Sequence, residues 1–170
     1  MCLVLRLMSV ERPIRRLDLR AYQHATEDRD RVVLALRFVA GDGEPAARQA
    51  EGYHGNPITV WEVSVSGRAG MEGFWARLAD AGLCAGLSEN LEERISEDGE
   101  LFVRFDKQQA VGGRLALSPG DDVISARGRV LATVKGQEAR ADRDIAVEVM
   151  RAFLRELEKK KAQGAGRDRR

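Results

Sequence analysis

The sequence predicts an α+β domain, a single mainly antiparallel sheet with its helices packed on one face. Three observations carry this. Apolar and polar residues alternate over short stretches such as 14–21, 58–66 and 101–106, the signature of half-buried strands. Apolar residues recur every three to four positions in longer stretches, as on amphipathic helices. Turn signals of the hairpin type, Asp98-Gly99 and Pro119-Gly120-Asp121 among them, join the later strands where a parallel sheet would need long crossovers. With 170 residues, 44% hydrophobic and 32% charged, the chain has the length and apolar content of one globular domain.

The elements follow in order. Ile14, Leu17, Leu19 and Ala21 alternate with Arg16, Asp18 and Arg20, a strand within 14–24. Thr26 offers an N-cap oxygen to a helix over 27–39, with Glu27 and Asp28 on the positive end of its dipole. Gly41, Gly43 and Pro45 end that helix. A Gly-rich turn, 52–57, precedes a strand over 58–66, with Trp61, Val63 and Val65 on its core face. A helix over 69–81 carries Met71, Phe74, Trp75 and Leu78, and a short one covers 89–95. Strand 101–106 buries Leu101, Val103 and Phe105. Parts of 114–134 form a strand or bent strand pair around Gly128. Asp142 caps a last helix over 142–160, striped by Ile145, Val149, Phe153 and Leu157. The domain spans 14–160, with a leader at 1–13 that leaves Met8 as an alternative start to Met1, and a disordered basic tail at 161–170.

Composition excludes several function classes. No apolar run approaches the roughly 20 residues of a membrane span. Cys2 and Cys84 cannot make a disulfide framework, which points to a reducing, cytoplasmic setting. The net charge is only +1, but it is uneven: residues 1–20 hold five Arg against two acids, and residues 151–170 eight bases against three. Basic ends around an acidic middle can bind a polyanion locally, but a solvated surface gives the same count. No phosphate loop, nucleophile elbow, CxxC or HExxH motif is present. His24 and His54 lie far apart, and the carboxylate pairs Glu27/Asp28, Glu92/Glu93 and Asp121/Asp122 are adjacent rather than spaced to share a helix face. The more telling pattern is basic residues alternating outward from strands, Arg16 and Arg20 early, Arg104 and Lys107 later. A sheet face carrying arginines can track a phosphate backbone.

Three segments then matter together. His24-Ala25-Thr26-Glu27-Asp28 precedes the Val32/Val33 helix. Next come Glu51-Gly52-Tyr53-His54-Gly55-Asn56-Pro57-Ile58 and Leu101-Phe102-Val103-Arg104-Phe105-Asp106-Lys107-Gln108. In this order, with GRLALSPGDDVI at 113–124, they resemble the archaeal family described as exosome-subunit-like RNA-binding proteins, over roughly 14–157. The resemblance implies a small fold similar to that of the 5S-RNA-binding ribosomal protein. It also implies RNA binding in or near the RNA-processing machinery, without catalysis and without a cofactor. The matched residues have their own chemistry. Tyr53 can stack a base, His54 offers an imidazole and Asn56 organises the loop, while Lys107 and Gln108 form a donor-rich cluster at a strand end. The competing explanation is structural: Asn56 closing the turn, and Asp106 paired with Lys107. The leading expectation is a non-catalytic RNA-binding module, single-stranded or structured RNA being its partner, with Arg16, Arg20, Tyr53, His54, Asn56, Arg104, Lys107 and Gln108 as contacts. The alternatives are a scaffold domain docking proteins through its sheet face or last helix, and a hydrolase using a divalent metal at Asp121/Asp122.

Overall fold

The computed structural model describes residues 12–41, 43–52, 55–134 and 137–167. The elements, in chain order, are β1 (Arg16–Gln23), α1 (Arg29–Ala40), β2 (Ala46–Glu51), β3 (Pro57–Ser66), α2 (Gly67–Asp80), α3 (Cys84–Glu89), α4 (Leu91–Arg94), β4 (Glu100–Asp106), α5 (Lys107–Val111), β5 (Val123–Arg129), β6 (Leu131–Val134), β7 (Gln137–Arg140) and α6 (Arg143–Arg167). This is an α+β fold with a mainly antiparallel five-stranded sheet in the order β2-β3-β1-β5-β4, and a two-stranded β6-β7 ribbon. The chain groups into two compact units. One gathers 16–74 and 103–127, the other the described parts of 1–15, 75–102 and 128–170.

The first unit holds β1 to β3 and residues 103–106 and 123–127 of the later strands. β1 pairs antiparallel with β3, from Arg16 opposite Ser66 to Gln23 opposite Thr59, and on its other side with β5, Asp18 lying opposite Arg127. Strand alternation does what the sequence predicts: Leu17, Leu19, Ala21, Trp61, Val63, Val65, Val103, Phe105, Ile124 and Ala126 are buried. α1 packs on β1, β3 and α5, burying Val32, Ala35, Leu36 and Val39. Phe74 meets Phe105 edge-on, ring centroids 6.1 Å apart.

Two local expectations change. The N-cap of α1 is Asp28, whose carboxylate accepts from the Arg31 N–H at 3.0 Å, and not Thr26. Glu27 is thereby released from the helix for another contact. Ala46–Glu51, to which the sequence assigns no element, is the strand β2, in register with β3 from Ala46 opposite Glu62 to Glu51 opposite Pro57.

The second unit is built around α6, which packs against α3, α4 and β6. Trp75 and Phe153 meet edge-on at 5.2 Å. The expected helical stretch 89–95 holds α4, and a further short helix, α3, precedes it and ends at Glu89 before Asn90. Asp142 does cap α6, accepting from Ile145 N–H at 3.0 Å. Its buried residues, however, are Ala146, Val147, Val149, Met150 and Leu154, a face rotated from the expected one with Val149 in common. Nor does α6 stop at 160. It runs to Arg167, so residues 161–167 of the tail expected to be disordered are helical. Gly99 is required where it stands: at φ +72° a Cβ would lie 2.1 Å from the Ala141 carbonyl oxygen. The expected leader lies almost wholly outside the described residues.

Candidate functional site

The buried side of the sheet in the first unit is committed to the core, which leaves its other side to face outward. Register fixes what stands there. Arg16, Asp18, Arg20 and Tyr22 alternate outward along β1, and opposite residues on neighbouring strands share that side. Glu62 of β3, Ser125 of β5 and Ala46 of β2 flank the Arg20 row. Ser64 and Arg127 flank Asp18, while Val60 and Arg48 continue the Tyr22 row. Arg104, on β4, is exposed as well. Five arginines thus share this side with Asp18, Glu62 and, by the same alternation along β4, Asp106.

The charges are organised. Arg16 Nε donates to Asp18 Oδ1 at 2.8 Å and its Nη2 to the Ser64 hydroxyl at 2.8 Å, which in turn donates to Asp18 at 2.5 Å. Burial opposes the charge on Asp18, but these hydrogen bonds and the cations Arg16 and Arg127 outweigh it and hold the carboxyl below its ordinary range. Arg20 meets Glu62 at 2.5 Å. Its affinity for its proton is raised first by a hydrogen bond with the Tyr22 side chain and then, against some desolvation, by Glu62. Tyr22 is 44% exposed, whereas Val60 opposite it is buried at 1% although it lies on the outward side. Tyr22 and Arg48, its neighbours in register, are the long side chains able to cover it.

A second constellation gathers the motif residues. Gln23 bridges the end of β1 to the start of α1, its Oε1 accepting from Trp61 Nε1–H at 2.8 Å and its Nε2 donating to the Glu27 carbonyl at 3.2 Å. Arg29 lies over the Trp61 ring, 5.2 Å from its centroid. Glu27 folds back, its carboxylate accepting from the His24 N–H at 2.9 Å. Lys107, at the first turn of α5, is 1% exposed. Its Nζ donates to the Tyr22 carbonyl at 2.9 Å, pairs with Glu27 at 2.7 Å and pairs with the Asp122 carboxylate. Three protons meet three partners, so this ammonium has none left for a ligand. Asp106 is not its partner; that carboxylate caps α5 through the Gln109 N–H at 2.8 Å. Gln108 Nε2 donates to Asp122 at 3.1 Å. Partial burial works against ionised Asp122, yet the Lys107 and Gln108 hydrogen bonds and the Lys107 charge lower its pKa. A cleft of about 270 Å³ between α1 and α5 is lined by Thr26, Glu27, Asp28, Arg31 and Gln108 among others.

The expected contacts therefore separate. Arg16, Arg20 and Arg104 stand on the outward side of the sheet. Lys107 is internal, and Gln108 is turned to Asp122. Asn56 is exposed in the β2–β3 turn, which its backbone carbonyl closes by accepting from Gly52 N–H at 2.8 Å. Tyr53 and His54 lie outside the described residues. Tyr22, Arg48 and Arg127 were not among the expected contacts. Tyr22 and Arg127 continue alternations visible in the sequence; Arg48 lies on a strand with no such signal. Among the described residues no three His, Cys, Asp or Glu side chains gather to hold a metal ion, and no helix is long and apolar enough to cross a membrane.

A family described as RNA binding matches residues 16–130. An RNA-binding protein of Pyrococcus abyssi is 35% identical over 132 residues, covering 71% of this chain and 84% of its own length. The structure of a DUF54 protein from Methanothermobacter thermautotrophicus superposes with a TM-score of 0.69 at 33% identity, covering 83% of this chain and 98% of that one. One from Archaeoglobus fulgidus gives 0.70 at 31% identity, covering 85% and 99%.

Proposed function

The chain belongs to the RNA-binding family that matches residues 16–130, and from that premise we propose that it binds RNA on the outward side of its sheet and performs no catalysis. One observation carries the placement: five arginines, on β2, β1, β5 and β4, share a sheet surface in the first unit with three carboxylates, of which Asp106 is spent on capping α5. The arginines are mounted for exchange. The Arg16–Asp18 and Arg20–Glu62 pairs are more than a third exposed on both sides, and ion pairs of that kind contribute about 0–1 kcal/mol. An incoming phosphate replaces such a partner at little loss and gains bidentate hydrogen bonds from the guanidinium. The non-catalytic reading rests on the carboxylates. Asp28 and Asp106 cap helices, and Glu27 and Asp122 hold Lys107, so each is occupied by the fold. Work in the cytoplasm alongside RNA-processing proteins, the exosome among them, belongs to the same proposal. It rests on the resemblance of the TED, EGYHGNPI and DKQ segments.

Titration of the protein with labelled RNA across salt tests the placement. Log affinity should fall linearly with log salt. Replacing Arg16, Arg20 and Arg104 together by Ala should flatten the slope by roughly 2, at about 0.7 per neutralised phosphate on a single strand. Unchanged slope in the triple variant moves the site elsewhere. Absence of salt-sensitive binding at micromolar protein gives the sheet surface, or α6, to a protein partner instead.

A further inference from the structure

We propose that this surface selects single-stranded RNA, with one unpaired base stacked on the ring of Tyr22; the inference rests on the RNA-binding reading above and names its substrate class. Three observations lead to it. Tyr22 is held at several points. Its carbonyl is fixed by the buried ammonium of Lys107, its backbone is in register with Val60 of β3, and Arg20, the preceding outward residue of β1, is itself held by Glu62. An aromatic residue whose backbone is so fixed has less freedom to lose when a base lands on its ring. Next, Tyr22 is 44% exposed and has cations on two sides: Arg20 two residues along β1, and Arg48 in its own row beyond Val60. That is the arrangement a nucleotide needs, a π-surface for the base with guanidiniums within reach of the phosphates before and after it.

The third observation separates single strands from duplex. Asp18 and Glu62 stand among the arginines, so the surface is of mixed sign. A duplex offers a phosphate on each strand and a deep, narrow major groove closed to side chains, so it meets these carboxylates with charge and leaves Tyr22 without a base to stack. An unpaired strand can run its phosphates along the arginines and turn exocyclic amines toward the carboxylates, which accept hydrogen bonds from them.

The test is fluorescence anisotropy with a short unstructured RNA and with the same sequence annealed to its complement, using the wild type, Tyr22→Ala and Tyr22→Phe. Circular dichroism and melting establish that each variant is folded; Tyr22→Phe keeps the ring should Tyr22→Ala prove unstable. The single strand should bind at least about tenfold tighter than the duplex. Tyr22→Ala should weaken it roughly five- to 150-fold, the equivalent of one stacked base, with the salt slope unchanged. Tyr22→Phe should retain binding to within a few-fold. Equal affinity for duplex, or full single-strand affinity in folded Tyr22→Ala, overturns this inference and leaves RNA binding standing. Loss of binding in Tyr22→Phe equal to that in Tyr22→Ala shows that the hydroxyl, not the ring, is what matters, and also overturns it. No salt-sensitive binding to either RNA overturns both readings.

Discussion

Lys107 carries its charge at 1% exposure, and the environment of that ammonium explains residues that look unrelated along the chain. Glu27, Asp122 and the Tyr22 carbonyl meet only there. Removing the cation leaves Glu27, whose side chain is 21% exposed, facing Asp122 without compensation. Breaking a buried pair from one side typically costs about 3–5 kcal/mol. Asp122 is 48% exposed and remains partly solvated, so Lys107→Met should destabilise by about 3 kcal/mol, the low end of that range, as read from denaturant midpoints. Lys107→Met with Glu27→Gln should recover part of the loss, because the second change removes an orphaned charge. Were Lys107 a surface contact, as its place at a strand end predicts, the single variant would be near neutral. The sequence shows Lys107 beside Asp106 and says nothing of Glu27, 80 residues away. No periodicity encodes such a meeting.

At the scale of elements, β1, β3 and β4 are legible because each alternates an apolar set against a polar one, and burial follows that alternation closely. Val60 is the exception, buried although it stands on the outward side. β2 is not legible. AARQAE has low strand propensity and no alternation, and every residue but Ala50 is exposed; pairing with β3 makes it a strand. Arg48 is consequently invisible as a surface residue until the register is known. The helix stripes are legible in period but not always in phase, as α6 shows. The far end of α6 makes one last described anchor, Lys161 Nζ donating to the Ala79 and Asp80 carbonyls at 2.7 and 3.1 Å, at the negative end of α2. Residues 162–164 beyond it are exposed. Deleting 162–170 should leave the melting temperature unchanged, whereas a deletion that also takes Lys161 should lower it measurably.

For the molecule as a whole, two carboxylates held by cations have a consequence for acid stability. Asp18 and Asp122 both have folded pKa values below the ordinary aspartate range. The stability they add is complete above the unfolded value, near 3.9, and is lost as pH falls through the folded values. Unfolding should therefore set in below about pH 4, and Asp122→Asn should flatten the acid limb of the stability profile while lowering stability at neutral pH. At net charge +1, little long-range attraction guides a polyanion to the protein, so recognition depends on the local arrangement of the sheet surface. That arrangement is assembled late. β1 is the third strand of five in space but the first to be made. β3 completes one of its edges at residue 66, while β5, which completes the other, begins only at Val123. At translation rates of about 5–20 residues per second the interval lasts roughly 3–10 s. Throughout it, the nascent chain presents a bare row of amide and carbonyl groups beside Leu17, Leu19 and Ala21, a template for pairing with a neighbouring chain on the same messenger.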